Sequence, residues 1–167
     1  SAPLKQTTEI LDAAQVVLDL SVDKPTAFVC VRLNDVKPDG SVARAAYAVL
    51  NLPHRDGHDK VKQLVPGKRY KVKVRLSDTA YSFGKDHRLR VAVSTSYWPM
   101  IWPSPEPVAL TLHTGTSTLD LPVRPLRGGP KLRAFEPAEE AAPMAVKQLT
   151  QAPGPQHRDT RCADRPG

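Results

Sequence analysis

An all-β fold, a two-sheet antiparallel sandwich or jelly roll, is predicted by three observations. Apolar residues alternate with polar ones in run after run, turn signals separate the runs, and no segment carries a convincing helical period. Successive side chains of a strand point to opposite faces, so each alternating run presents one apolar face to bury. Seven or eight short strands of this kind need a second sheet to cover those faces.

The elements follow in order. Val16, Leu18, Leu20 and Val22 alternate with Asp19, Ser21 and Asp23, and Ala27, Val29, Val31 and Leu33 alternate with Phe28, Cys30, Arg32 and Asn34. Val36-Lys37-Pro38-Asp39-Gly40 reads as a turn, because proline presets φ for its first central position and Gly40 accepts positive φ. The return strand of that hairpin runs from Ser41 to about Leu52, with the alanines of Ala43 to Leu50 read as tight packing within a strand. His54 to Lys60 is a polar loop, and Val65-Pro66-Gly67-Lys68 is a second turn. Tyr70, Val72, Val74 and Leu76 then face inward while Arg69, Lys71, Lys73 and Arg75 face solvent. Leu89, Val91 and Val93 repeat that motif against Arg88, Arg90 and Ala92. Strands near Pro107 to His113 and Thr116 to Val123, joined by a turn at Gly115, complete the set.

Length and charge bound the rest. A chain of 167 residues buries enough surface to fold without a disulfide framework, and two cysteines, Cys30 and Cys162, do not suggest one. Five of the 17 prolines precede residue 99 and the other twelve run from Pro99 onward. Residues 124–167 hold seven of them, few β-branched residues and no apolar period, which is the composition of a segment that does not order itself. The sandwich is therefore placed at residues 6–123 and a Pro-rich, partly disordered tail at 124–167. Within the tail, Pro137 to Met144 has the character of a single helical turn that Pro143 ends. No apolar run approaches the roughly 20 residues of a membrane helix, and the first ten residues lack the basic and apolar regions of an export signal. No membrane partner is expected, and a cytoplasmic location is.

Catalytic and cofactor chemistry is not visible. A nucleophile elbow needs Gly-x-Ser-x-Gly on a strand-to-helix turn. Gly115-Thr116-Ser117-Thr118-Leu119 lacks the second glycine and has no helix after it. His54 and His58 stand four apart, but in a polar loop with no third ligand, so no metal and no cofactor are expected. Cys30 reads as a small core residue, and neither cysteine has a neighbour that lowers a thiol pKa. The net charge of +7 falls to +4 over residues 1–123 once the tail's eight basic and five acidic residues are set aside. Stacking aromatics are not interleaved with the stripe Arg69, Lys71, Lys73 and Arg75, so that stripe reads as a solvated edge and no nucleic acid is expected.

One stretch is unusual for a lone domain: Tyr97-Trp98-Pro99-Met100-Ile101-Trp102-Pro103-Ser104-Pro105, which holds both tryptophans. Its prolines forbid a regular strand, leaving a stiff loop of three aromatic and two aliphatic residues. Tyr97, Trp98, Met100, Ile101 and Trp102 are candidates for interdomain or ligand contact, since Trp and Met anchors are typical of interface centres. The alternative is that the loop folds back and plugs one end of its own sandwich.

Four strings read together resemble a known family: Arg32 to Gly40 (RLNDVKPDG), Leu64 to Val72 (LVPGKRYKV), Ala80 to Val91 (AYSFGKDHRLRV) and Ser94 to Pro99 (STSYWP). In order and spacing, over about residues 8–125, they are similar to the C-terminal domain of X-Pro dipeptidyl-peptidase and cocaine-esterase-like (CocE/NonD) serine hydrolases. Gly84-Lys85-Asp86-His87 departs from the family's tighter Pro-Gly-His-Arg turn. The resemblance implies a galactose-binding-like jelly roll that follows an α/β-hydrolase domain and a helical cap in one polypeptide. It also implies that the catalytic Ser, Asp and His lie in that α/β domain, so the present chain is expected to be inactive alone. The implied partner is the α/β-hydrolase domain, against which the β-domain packs to help shape the active-site region. Self-association through the surface this packing would hide is a further expectation. Phe135-Glu136-Pro137 resembles the stretch that follows the domain in some larger members. A second function remains open on the residues alone: a carbohydrate-binding jelly roll using Trp98 and Trp102 as a flat, coplanar, solvent-facing platform, with Tyr97 beside them.

Overall fold

Alternating apolar and polar residues give extended chain through most of the protein, a computed structural model of which describes residues 1–125. Its strands are β1 (Thr8–Asp12), β2 (Gln15–Val22), β3 (Phe28–Val36), β4 (Val42–Asn51), β5 (Arg69–Arg75), β6 (Thr79–Phe83), β7 (Arg88–Ser94), β8 (Leu110–Leu112), β9 (Thr118–Asp120) and β10 (Val123–Arg124). Short 3₁₀ turns lie at Leu52–His54 and Thr114–Thr116. The expected tail falls, from residue 126 on, outside the described residues, as do the Pro137 to Met144 turn and Cys162.

All pairing is antiparallel, in three hydrogen-bonded groups: β10-β1-β6, β5-β2 with β8 and β9 along the far edge of β2, and β4-β3-β7. The first two groups are halves of one bent sheet. Only Ala13 and Ala14 separate β1 from β2, Leu76 to Asp78 separate β5 from β6, and Leu121 and Pro122 separate β9 from β10. The bend falls where Asp12 takes positive φ (103°) and its carboxylate accepts from the Ala13 amide at 2.6 Å. Across the bend the register of the paired strands shifts by one residue, the local twist that a bulge introduces. The bent sheet is one layer and β4-β3-β7 the other, which is the predicted antiparallel sandwich.

The middle strands carry the core because neighbours flank them on both edges. Val16, Leu18, Leu20 and Val22 of β2 and Val29, Val31 and Leu33 of β3 are buried with Ile10, Val72, Val74, Leu76 and Phe83. At about 25 cal/mol per Å² of apolar surface, each such Val, Leu or Phe is worth roughly 1.5–3 kcal/mol. The hairpin turn forms as predicted, with Gly40 at φ 84° and its amide donating to Lys37 O at 2.9 Å. The second turn has Gly67 at φ 75° and Lys68 N donating to Val65 O at 3.0 Å.

Three expectations need correction. The chain around Gly115 is not a hairpin: β8 and β9 do not pair with each other but lie end to end along β2, opposite Leu20–Val22 and Gln15–Val17. The 3₁₀ turn between them bulges out opposite Asp19, where a buried carboxylate needs room for its partners. Leu89, Val91 and Val93 do not all face a closed interior. Leu89 packs half-buried against the core, but in this edge strand, β7, Val91 and Val93 border an open apolar groove shared with Val16, Leu18 and Leu119, and Val91 is 36% exposed. In β4 the alanines are in a strand as expected, but only Ala46 is fully buried. Strands β1 and β6 were not legible in the sequence.

Candidate interdomain contact site

On β3 the residues that alternate with the core row, Phe28, Cys30, Arg32 and Asn34, form the outer row of the β4-β3-β7 sheet. Cross-strand neighbours Tyr47 and Val49 of β4 and Ala92 and Ser94 of β7 share that face. The chain leaving β7 returns over it. Arg32 donates from Nη2 to Ser94 Oγ at 3.1 Å, and its guanidinium carbon lies 5.0 Å from the centre of the Tyr97 ring. Tyr97 meets Tyr47 edge to face at 5.9 Å. The Arg44 guanidinium covers Tyr47 at 4.5 Å and Tyr97 at 5.7 Å, and its Nη1 donates to the Tyr97 hydroxyl. Such cation–π contacts contribute about 0.5–1 kcal/mol at exposed sites. Tyr97 is thus the foot of the aromatic loop.

The other end of the loop is fastened as well. Lys24 Nζ is 2.9 Å from Glu106 Oε2, and Asp23 Oδ1 accepts from the Ala109 amide at 2.8 Å. Between these anchors the Ile101 amide donates to Tyr97 O at 3.0 Å, closing a turn that half-buries Ile101. Trp98, Met100 and Trp102 point away from the sandwich, with Trp98 65% and Trp102 81% exposed. The loop therefore does not plug the core. Of the five candidate residues, Tyr97 and Ile101 hold the loop down and the other three project. The indoles pack on each other edge to face, centres 5.7 Å apart and planes at 70°. A sugar platform needs coplanar rings, so this geometry does not favour the carbohydrate reading.

The buried charged groups elsewhere are internally satisfied. Asp19 of β2 accepts from Arg69 Nε at 2.5 Å, from Arg69 Nη2 at 2.8 Å and from the Thr116 hydroxyl at 2.6 Å. These bonds hold its carboxyl down to about 2. Arg69 stays on the solvated stripe while bonding Asp19, as does Arg75, which bonds Asp78 at 2.6 Å and Asp12 at 3.3 Å. Asp35 of β3 sits 2.8 and 3.0 Å from His87 Nδ1 and accepts from the Tyr81 hydroxyl at 3.1 Å. A carboxylate has no proton to give, so His87 carries its proton on Nδ1. Burial, and then the Asp35 carboxylate, push the Tyr81 phenol up. His87 Nε2 lies 2.7 Å from where a Cβ on Gly84 would stand, so the absence of a side chain at Gly84 makes room for the ring.

Residues with latent chemistry do not assemble into a centre. His54 and His58 do approach, Nδ1 to Nδ1 at 3.1 Å, in an exposed loop. No group of three or more His, Cys, Asp or Glu positioned for a metal occurs among the described residues. Cys30 is buried, which pushes its thiol up and away from nucleophilic use. No helix among the described residues is long and apolar enough to cross a membrane. Sequence reasoning missed Arg32, Arg44 and Tyr47 as parts of the contact site. The signal was available in the cross-strand register of an outer row that carries aromatic and cationic residues.

Comparison with known proteins places these features. A family profile described as the X-Pro dipeptidyl-peptidase C-terminal non-catalytic domain matches residues 1–155. No curated protein matches the sequence. Among solved structures, a selenomethionine-labelled α-amino acid ester hydrolase superimposes with a TM-score of 0.67 at 21% identity, over 73% of this chain and 24% of that one. An aminopeptidase from a marine sediment archaeon, Thaumarchaeota archaeon, gives 0.65 at 19% identity, over 74% and 25%. A CocE/NonD family hydrolase from Staphylococcus aureus gives 0.62 at 15%, over 73% and 29%. The fold is shared with these proteins, and the chain spans about a quarter of their length.

Proposed function

The chain belongs to the family of C-terminal non-catalytic domains of X-Pro dipeptidyl-peptidases, and from that premise we propose that its role is architectural. It packs against an α/β-hydrolase domain of the same polypeptide and helps shape the active-site region there, while acyl or peptidyl hydrolysis is carried out by that partner. The observation that carries this reading is the loop Tyr97 to Pro105, anchored at both ends and holding Trp98, Met100 and Trp102 out into solvent. Large apolar side chains presented on a stiff support are the anchors of an interface, not the residue of an unfinished core. Self-association of the free domain through the same patch belongs to this proposal, as does the division into a sandwich at residues 6–123 and a tail at 124–167.

The test is the double substitution Trp98→Ala, Trp102→Ala in the polypeptide that carries the catalytic domain. Loss of joint melting of the two domains, with a fall in kcat/KM, is the expected outcome. Unchanged activity and melting would remove the loop from the interface.

A further inference from the structure

We propose that the outer face of the β4-β3-β7 sheet receives an acidic side chain of the catalytic domain, clamped by Arg32 and Arg44, with the projecting tryptophans covering apolar surface beside it. This rests on the docking role above and specifies its chemistry.

The first support is charge without a counter-charge. Arg69, Arg75 and Arg124 each have a carboxylate within 3.3 Å. Arg32 and Arg44 stack on Tyr97 and Tyr47 and, like Arg55, Arg88 and Arg90, have no ion-pair partner among the described residues; Arg32, Arg44 and Arg90 share the outer face of this one sheet. Each spends one edge nitrogen within the domain, Arg32 Nη2 on Ser94 Oγ and Arg44 Nη1 on the Tyr97 hydroxyl, and the N–H groups left over are donors that suit a carboxylate.

The second support is independent of charge. Buried polar atoms in folded proteins nearly always have partners. Among the described residues three side-chain atoms are buried without one: Arg32 Nε, Asn51 Oδ1 and Ser104 Oγ. Arg32 is on the outer row of β3, Asn51 is cross-strand from Phe28 on that row, and Ser104 is in the loop that crosses it. The sandwich interior holds none of them. The orphaned polar atoms and the two stacked guanidiniums thus share this face with the exposed Trp98, Met100 and Trp102, an Arg, Trp and Met composition that marks interface centres. The occupant is protein rather than a stacked ring ligand, because the indoles meet edge to face and offer no flat platform.

The experiment uses the full polypeptide with its catalytic domain and compares wild type, Arg44→Glu, Arg44→Lys and the Trp98→Ala, Trp102→Ala pair by calorimetry, at low salt and at about 0.5 M, where surface charges are screened within a few ångströms. Arg44→Glu in the isolated domain is the control, and its exposed side chain makes unfolding by this change unexpected. Wild type should melt jointly and less stably at high salt, Arg44→Lys should keep the joint transition, and Arg44→Glu should separate the two domains and lose the salt dependence. Arg44→Glu that melts jointly like wild type at both salts overturns the carboxylate. If the tryptophan pair still separates the domains in that case, the docking role stands without it; if neither does, both readings fall. A loss of equal size in the isolated domain would assign Arg44 to the fold instead and would also overturn the proposal.

Discussion

The inner row of β3 and its outer row differ in what completes them. Inside, the chain finishes its own hydrogen bonding: Asp35, 2% exposed, is held by His87 and Tyr81. Three residues back along the same strand, on the opposite face, Arg32 has a buried donor with no acceptor and a loop above it that sends its largest apolar side chains into water. The same backbone therefore supports a self-sufficient face and a face that calls for a partner. Burial on its own does not separate the two, since Cys30 of the outer row is as buried as Val31 of the inner one. The state of the polar groups does.

The comparison can be broken most forcefully from the inside. Leu33→Ala removes a fully buried side chain from the central strand and should cost about 2–5 kcal/mol in urea unfolding of the isolated domain. A loss well under 1 kcal/mol would mean that the inner face is not close-packed. Next in size is Asp35→Ala, which strands the His87 and Tyr81 donors. The cost of such unpaired groups is about 1–3 kcal/mol, and the ring of Tyr81 should become more mobile by NMR.

The third prediction concerns acid. The Asp19 carboxyl is ordinarily at 3.8 and is held near 2 in the fold. Between those values the unfolded chain binds more protons than the folded one, so the stability this carboxylate contributes is whole above about pH 4 and drains away as the pH falls toward 2. Urea midpoints from pH 5 to 2 should decline for the wild type. Asp19→Asn should lower the midpoint at pH 5 and flatten that part of the profile, and an equally steep decline in the variant would assign the acid lability elsewhere.

Much of this contrast was legible in the sequence, and what was not has physical causes. The apolar rows of β2, β3 and β5 were visible because a central or one-sided strand writes its environment as clean alternation. β1 (TEILD) and β6 (TAYSF) were missed because five residues, interrupted by a bend at Asp12, hold too short an alternation to register. The region around Gly115 was misread as a hairpin because a bulge and a turn share the same small polar residues. What distinguishes them is Asp19, 96 positions from Gly115 in the chain, whose amide donates to Ser117 Oγ at 3.1 Å. Val91 reads as core because periodicity reports a face and not whether an edge is covered. Three of the four strings that carried the family resemblance meet in space: Asp35 comes from the first, Tyr81 and His87 from the third, and Arg32 and Tyr97 join the first to the fourth. Spaced strings of that kind record contacts between strands rather than a catalytic motif.

The smallest effect is expected where the side chains are largest. In the isolated domain, Trp98→Ala and Trp102→Ala together should change stability by no more than about 0.5 kcal/mol each, the range for exposed positions. The most direct measurement of the central claim is this pair of substitutions made twice, once in the isolated domain and once in the polypeptide with its catalytic domain, each followed by calorimetry. The account predicts near-identical melting of the isolated domain with and without the tryptophans, and separation of a joint transition into two in the longer polypeptide. An equal loss in both settings would show that the loop serves its own sandwich, and the contrast between the two faces of β3 would no longer hold.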